Sequence, residues 1–293
     1  MSARGWTLFA AMSVIWGVPY LMIKVAVAEV SVPLLIFTRS VVGAGLLLPL
    51  ALSLESRTLL RQRWKAVAGF AFFEMIAAWL MLSDAERHLT SSLTGLLIAA
   101  APIIAAVLDR FTGGERLSTL RVVGLGVGLA GVAVLAGPGL TGGGVWPVAE
   151  VLLTATCYAI APLIAARYLA DVPGPTLTAA CLGLAALVYA VPAAMTWPSH
   201  ALAGRTYWAI AGLAGICTAL AFVLFFALIR EVGPTRALLF TYVNPAVALL
   251  AGVVILREPL TWWNIAGLVL ILAGSLLATR PSSTPASERA GNQ

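Results

Sequence analysis

The residue in this sequence best placed for chemistry is an acid in the middle of an apolar stretch. Glu74 stands in Phe72-Phe73-Glu74-Met75, halfway along the apolar run 64–83. In a helix rising about 1.5 Å per residue, its carboxyl lies about 15 Å from either end of that run. A carboxyl held there could bind an amine, relay a proton, or stay protonated and hydrogen-bonded, since charge in apolar surroundings is costly. Two cations, Lys24 and Arg39, lie toward the ends of the runs 7–27 and 33–54. They could attract a ligand carboxylate, although long cationic side chains also reach out to polar interfaces. Trp16, Tyr20, Trp79, Tyr158, Tyr242 and Asn244 sit in the central parts of other runs. Aromatic faces suit apolar ligands and hold cations, although a residue of this kind is more often plain packing. Asn244 precedes Pro245, so its amide could contact a ligand or mend the backbone pattern that proline interrupts.

Several kinds of chemistry are missing. The sequence contains no phosphate loop, Walker lysine, EF-hand, HExxH or GxSxG pattern, which argues against ATP hydrolysis and the common hydrolases. His88 and His200 are isolated, and Cys157, Cys181 and Cys217 all fall within apolar runs without CxxC spacing. No metal, cofactor or disulfide is expected.

The elements that must position these side chains follow from composition. Of the 293 residues, 61% are hydrophobic and only 10% charged, and the mean hydropathy is +0.98. Soluble domains carry about 25% charge, so this chain cannot cover a globular surface with solvated groups. Ten apolar runs fall near 7–27, 33–54, 64–83, 89–108, 119–136, 145–166, 174–195, 206–229, 235–256 and 261–279. Each is close to the length that crosses a bilayer and lacks strand alternation. In lipid every backbone amide needs an internal partner, which requires helices. The sequence therefore predicts an all-α membrane protein of ten transmembrane helices, followed by a polar, Pro/Ser-rich tail at 281–293 that is expected to be disordered. The first run resembles a signal peptide at Ala26-Val27-Ala28, but its length, Pro19 and Lys24 favour a retained helix. The net charge of +6 reads as anchors facing an anionic leaflet rather than as a nucleic-acid surface. Thirteen of the eighteen Lys and Arg fall in alternate connections, which predicts both termini in the cytoplasm.

A shift of 143 residues superposes the chain on itself without a gap. Pro49 meets Pro192, Gly69 meets Gly212, Pro102 meets Pro245, Glu115 meets Glu258, Leu117 meets Leu260, Gly124 meets Gly267 and Gly131 meets Gly274. Five helices separate the copies, and five is odd, so the second copy enters the membrane from the opposite side. The expected units are a first repeat, 1–138, and a second, 139–280. Inverted repeats characterise secondary transporters, whose ligand site lies between the halves. Pro102 and Pro245 should kink helices 4 and 9 and are candidate hinges; Pro19 and Pro162 are placed to bend helices 1 and 6. The glycine pairs should pack helices 5 and 10 closely, and Glu115 and Glu258 should cap the N-termini of those same helices.

With these motifs the chain resembles the drug/metabolite transporter superfamily, in particular its EamA-type ten-helix exporters. The resemblance rests on Trp16-Gly17 with Lys24, on Pro33 with Arg39, and on two copies of one pattern: Pro102, Glu115, Gly124, Gly131 and Pro245, Glu258, Gly267, Gly274. It spans roughly 7–279 and departs at Ala159-Ile160, the counterpart of Trp16-Gly17. It implies a basket-like bundle with a central cavity in an inner membrane, carrying small metabolites and often exporting amino acids. The expected partners are a small-molecule substrate and the lipid bilayer, without nucleic acid; the oligomeric state is left open, a monomer being admissible. Drug efflux and metabolite uptake are the competing readings, with a passive channel and an intramembrane enzyme further off.

Overall fold

The computed structural model describes residues 2–51, 54–111, 119–142 and 144–278. The tail 281–293 and Glu115 lie outside them, and every regular element among them is helical. Among the described residues eight helices are long and apolar enough to cross a membrane: α1 (Ala3–Ala26), α2 (Val32–Pro49), α3 (Trp64–His88), α4 (Ser91–Leu108), α5 (Thr119–Gly137), α6 (Val145–Tyr168), α7 (Gly174–Met195) and α8 (Gly204–Val232). Two shorter apolar helices follow, α9 (Asn244–Ile255) and α10 (Trp262–Ala278). The ninth run falls short because it is broken: a turn at Pro234–Ala237 and a 3₁₀ stretch at Leu238–Tyr242 precede α9. The helix α10 runs up to the edge of the described residues.

The packing obeys the 143-residue repeat. The most extensive helix pairs are α5 with α10 and α2 with α7, and in each pair the partners are repeat equivalents. Where α6 packs on α3, its counterpart α1 packs on α8. The glycines hold α5 and α10 close. A Cβ on Gly124 would stand 2.6 Å from the Ala278 amide, and one on Gly131 2.8 Å from that of Ile271. Small residues permit this approach of backbones.

Contacts between connections fix the relative direction of the halves. At one end of the bundle Ser2 Oγ donates to Glu231 at 2.5 Å and Arg63 pairs with Asp171 at 3.1 Å. At the other end Glu29 accepts from the Ala203 amide at 2.8 Å, and the Ser31 and Thr196 hydroxyls meet at 2.6 Å. The α1–α2 connection therefore lies opposite its repeat equivalent, the α6–α7 connection.

The proline expectation needs correction. Pro102 and Pro245 are not inside continuous helices, because α4 breaks at Ala99–Ala100 and restarts at Ala101, while Pro245 opens α9. Proline in a first turn removes no intrahelical hydrogen bond and suits a new start. Pro19 likewise begins the second half of α1 after a break at Trp16–Val18, whereas Pro162 sits inside an unbroken α6. The end residues Trp146, Trp197, Trp208, Trp262 and Trp263 are all exposed, as interfacial tryptophans would be.

Candidate functional site

Two helices change register at equivalent depths. In α3 the stretch Phe72–Ile76 is π-helical, and in α8 the stretch Gly212–Leu220 is. The 143-residue shift places Glu74 on Cys217 and Met75 on Thr218, so both repeats carry the same bulge. A π turn makes hydrogen bonds five residues back and strands one carbonyl where the α register resumes. In α8 the Ala221 amide reaches Ile216, and in α3 the Ala77 amide reaches Phe72.

The α8 bulge gathers side chains from the first repeat. Thr218 donates to the Leu213 carbonyl, five residues back, at 2.7 Å, and its hydroxyl accepts from Arg39 Nε at 2.8 Å. The Arg39 guanidinium carbon lies 3.7 Å above the Trp79 ring. Trp16 donates its indole N–H to the Cys217 carbonyl at 3.2 Å. Arg39 is only 8% exposed, so it does not reach for the interface: its planar guanidinium is held here by a hydroxyl at Nε and by an aromatic face.

Glu74 is placed differently. Cys157 and Tyr158 of α6 and Cys181 of α7 lie within its electrostatic reach. It makes no hydrogen bond among the described residues and keeps part of its surface accessible. Tyr158 lies within reach of both Glu74 and Arg39, and Tyr20 within reach of Arg39 and Tyr158. The structure thus brings Tyr20, Arg39, Glu74, Trp79 and Tyr158 together where the repeats meet.

The other expected site residues stand apart from that group. Trp16 packs among Phe222, Phe225 and Phe240, with ring centroids 5.1–5.5 Å away. Asn244, with its amide oriented to satisfy both partners, donates to the carbonyls of Phe240 and Ser13 at 3.1 Å, tying α9 to the break in α1. Tyr242 is half-buried in the 3₁₀ stretch just before it. Lys24 donates to the carbonyls of Glu86 and Leu89, both at 2.6 Å, at the C-terminal end of α3. Glu258 caps a helix, but not α10: its carboxylate takes the amides of Ser91 and Ser92 at 2.8 and 2.9 Å and both their hydroxyls. The carboxylate therefore closes the N-terminus of α4 in the other repeat. Arg257, at φ 56°, provides the left-handed turn just before it. A separate apolar crevice of about 560 Å³ opens between Trp64 and Val67 of α3 and Leu184 and Leu187 of α7, with nothing polar to recognise a metabolite.

Sequence reasoning missed Thr218 and Glu86. The signal for Thr218 was its register with the Glu74 turn. Glu86 was hidden among Asp84, Arg87 and His88, which read as an exposed helix end.

Comparison with known proteins decides the family. The sequence profile of the EamA-like transporter family matches twice, at residues 3–137 and 146–280. The chain belongs to that family. The two EamA-like matches begin 143 residues apart, the spacing of the internal repeat. An uncharacterized transporter of Bacillus subtilis (strain 168), YvbV, is 24% identical over 94% of this chain and 91% of its own length. One from Archaeoglobus fulgidus is 26% identical over 94% and 99%. The uncharacterized inner membrane transporter YedA of Escherichia coli K12 is 26% identical over 83% and 79%. A crystal structure covering 95% of this chain and 98% of its own superposes with a TM-score of 0.67 at 21% identity, which shows a common fold. This EamA-like protein is a multi-pass membrane transporter, not an enzyme.

Proposed function

We propose that this protein is an inner-membrane secondary transporter exporting amino acids or similar small metabolites by alternating access. All ten apolar helices then cross the bilayer, as two inverted five-helix units with both termini in the cytoplasm. The observation that carries the reading is that Arg39 and Glu74 both lie within electrostatic reach of one tyrosine, Tyr158. Arg39 is a buried cation whose stem and face are held by Thr218 and Trp79, leaving guanidinium donors for a substrate carboxylate. Glu74 offers an acceptor for an ammonium group. An acid and a cation carried on neighbouring helices of the first repeat, the cation held by Thr218 of the second, match a zwitterion, and their separation sets the length of ligand that bridges them. The expected arrangement for such carriers is a ligand at the seam between repeats, near mid-membrane. The uncharacterized inner membrane relative YedA supports the location.

Purified protein in liposomes, assayed against a broad panel of labelled amino acids with and without a pH gradient, tests the reading. Saturable flux of at least one amino acid is expected. Flux confined to hydrophobic drugs would move the assignment to drug efflux, and the absence of any amino acid flux would remove it.

A further inference from the structure

The end of the bundle where α3 turns into α4 holds a buried acid for which the transport reading has no use. Glu86 has no exposed surface, and neither carboxyl oxygen has a hydrogen-bond partner. Three ionisable groups face it: Lys24 and Tyr20 from α1, and Glu258 from the connection before α10. Each is already engaged or neutral. Glu258 is held by four donors from Ser91 and Ser92. Lys24, the nearest cation, ignores the Glu86 carboxyl and spends its hydrogen bonds on the backbone carbonyls of Glu86 and Leu89.

An ionised carboxylate sealed in this way, without a donor, is among the most expensive arrangements in a protein. One cation beside two acids is neutral only if one acid carries a proton, and Glu258, with four donors, is the one suited to stay charged. We propose that Glu86 is a proton-binding site of this transporter, and that its proton decides whether Lys24 caps the end of α3 or pairs with the Glu86 carboxylate. With the proton bound, Lys24 lies on the two carbonyls and the α3–α4 turn is closed. When the O–H bond breaks and water takes the proton, the electron pair left on Glu86 draws the ammonium away from those carbonyls. The turn then loses its cation cap two residues before Ser91, where the Glu258 cap begins, so one proton loosens contacts between α1, α3, α4 and the second repeat together. Neither Arg39 nor Glu74 faces Glu86, although Tyr20 lies within reach of both Arg39 and Glu86, and the site does not depend on the cargo. The bound species is taken to be the proton itself, since among the described residues no group of three or more His, Cys, Asp or Glu side chains is placed to hold a metal ion.

Infrared difference spectra of the full-length protein in lipid nanodiscs, taken between acid and alkaline pH in sodium-free buffer, read the carboxyl directly. A protonated-carboxyl band that vanishes at alkaline pH is expected. It should be missing in Glu86→Gln, retained in Glu74→Gln and restored in Glu86→Asp. Amide hydrogen exchange across residues 86–95, corrected for intrinsic chemistry, should accelerate several-fold with pH in the wild type and stay flat in Glu86→Gln. A wild-type spectrum identical to that of Glu86→Gln, or exchange in that variant that follows the wild type, overturns the assignment. So does a response to added sodium at constant pH. Should the Gln variant not fold, an Asp variant lacking the band overturns it equally.

Discussion

The same backbone bulge occurs twice in this protein, and the two copies are finished differently. In α8 the π turn is stitched shut: Thr218 bonds to Leu213, Arg39 bonds to Thr218 and Trp16 covers the Cys217 carbonyl. In α3 the turn is fastened at its far side, where Tyr189 donates to the Ile76 carbonyl at 2.8 Å, while Glu74 at its centre is left unbonded. Duplication supplied one geometry, and divergence made one copy a mount for a cation and the other a presenting site for an acid. A symmetric scaffold can thus present an asymmetric ligand with opposite charges on its two faces.

The contrast can be broken most severely at Arg39. Arg39→Met removes the charged group that the α8 bulge holds, and transport of whichever amino acid the panel identifies should fall by more than about tenfold, since each 1.4 kcal/mol is a factor of ten. Arg39→Lys should recover little of it, because an ammonium cannot both stack on Trp79 and bond sideways to Thr218; initial flux in liposomes measures both. Next in size is Glu74→Gln, expected to reduce flux or flatten its pH dependence, whereas Cys217→Ser at the equivalent position should change neither. Equal sensitivity at the two positions would end the distinction drawn between the bulges. Thr218→Val should lower thermal stability in detergent by about 1–3 kcal/mol, the range for a buried group left without its charged partner. Gly252→Ala should cost roughly 1 kcal/mol through the α4 cap, because a Cβ there would strike Ser92 and the Glu258 carboxylate. Arg257→Gly, which relieves a left-handed residue, should be neutral or mildly stabilising in the same melts.

The smallest effect concerns Glu29. The Ala203 amide above all, with smaller help from Thr206 and Arg205, holds its carboxyl below the usual 4.5. A depressed carboxyl contributes stability above its unfolded value and loses it as pH falls through the folded one. The difference in melting temperature between wild type and Glu29→Gln should therefore be present at neutral pH and vanish on acidification.

Much of this fold was legible in the residues. Run length and composition predicted the helices, and the pairs Pro102/Pro245 and Gly124/Gly267 disclosed the repeat, because glycine and proline act through the backbone at their own position. Other features were not legible because their partners are remote in the chain. Glu258 stands just before α10, yet it caps α4, 166 and 167 residues away. Arg39 looked like a side chain able to reach the interface, and the hydroxyl that holds it is 179 residues distant.

The sequence by itself determined that the chain lives in a membrane, repeats at 143 residues and contains one acid far from any interface. Those properties depend on local hydrophobicity and on matches between positions, which need no coordinates. Only the tertiary structure decided which charges are partnered. It placed Arg39 over the Trp79 ring, turned Lys24 toward carbonyls rather than carboxylates, and, among the described residues, left Glu74 and Glu86 without donors. Desolvation and hydrogen bonding depend on what surrounds a group in three dimensions, and here those surroundings come from the opposite repeat or a distant helix.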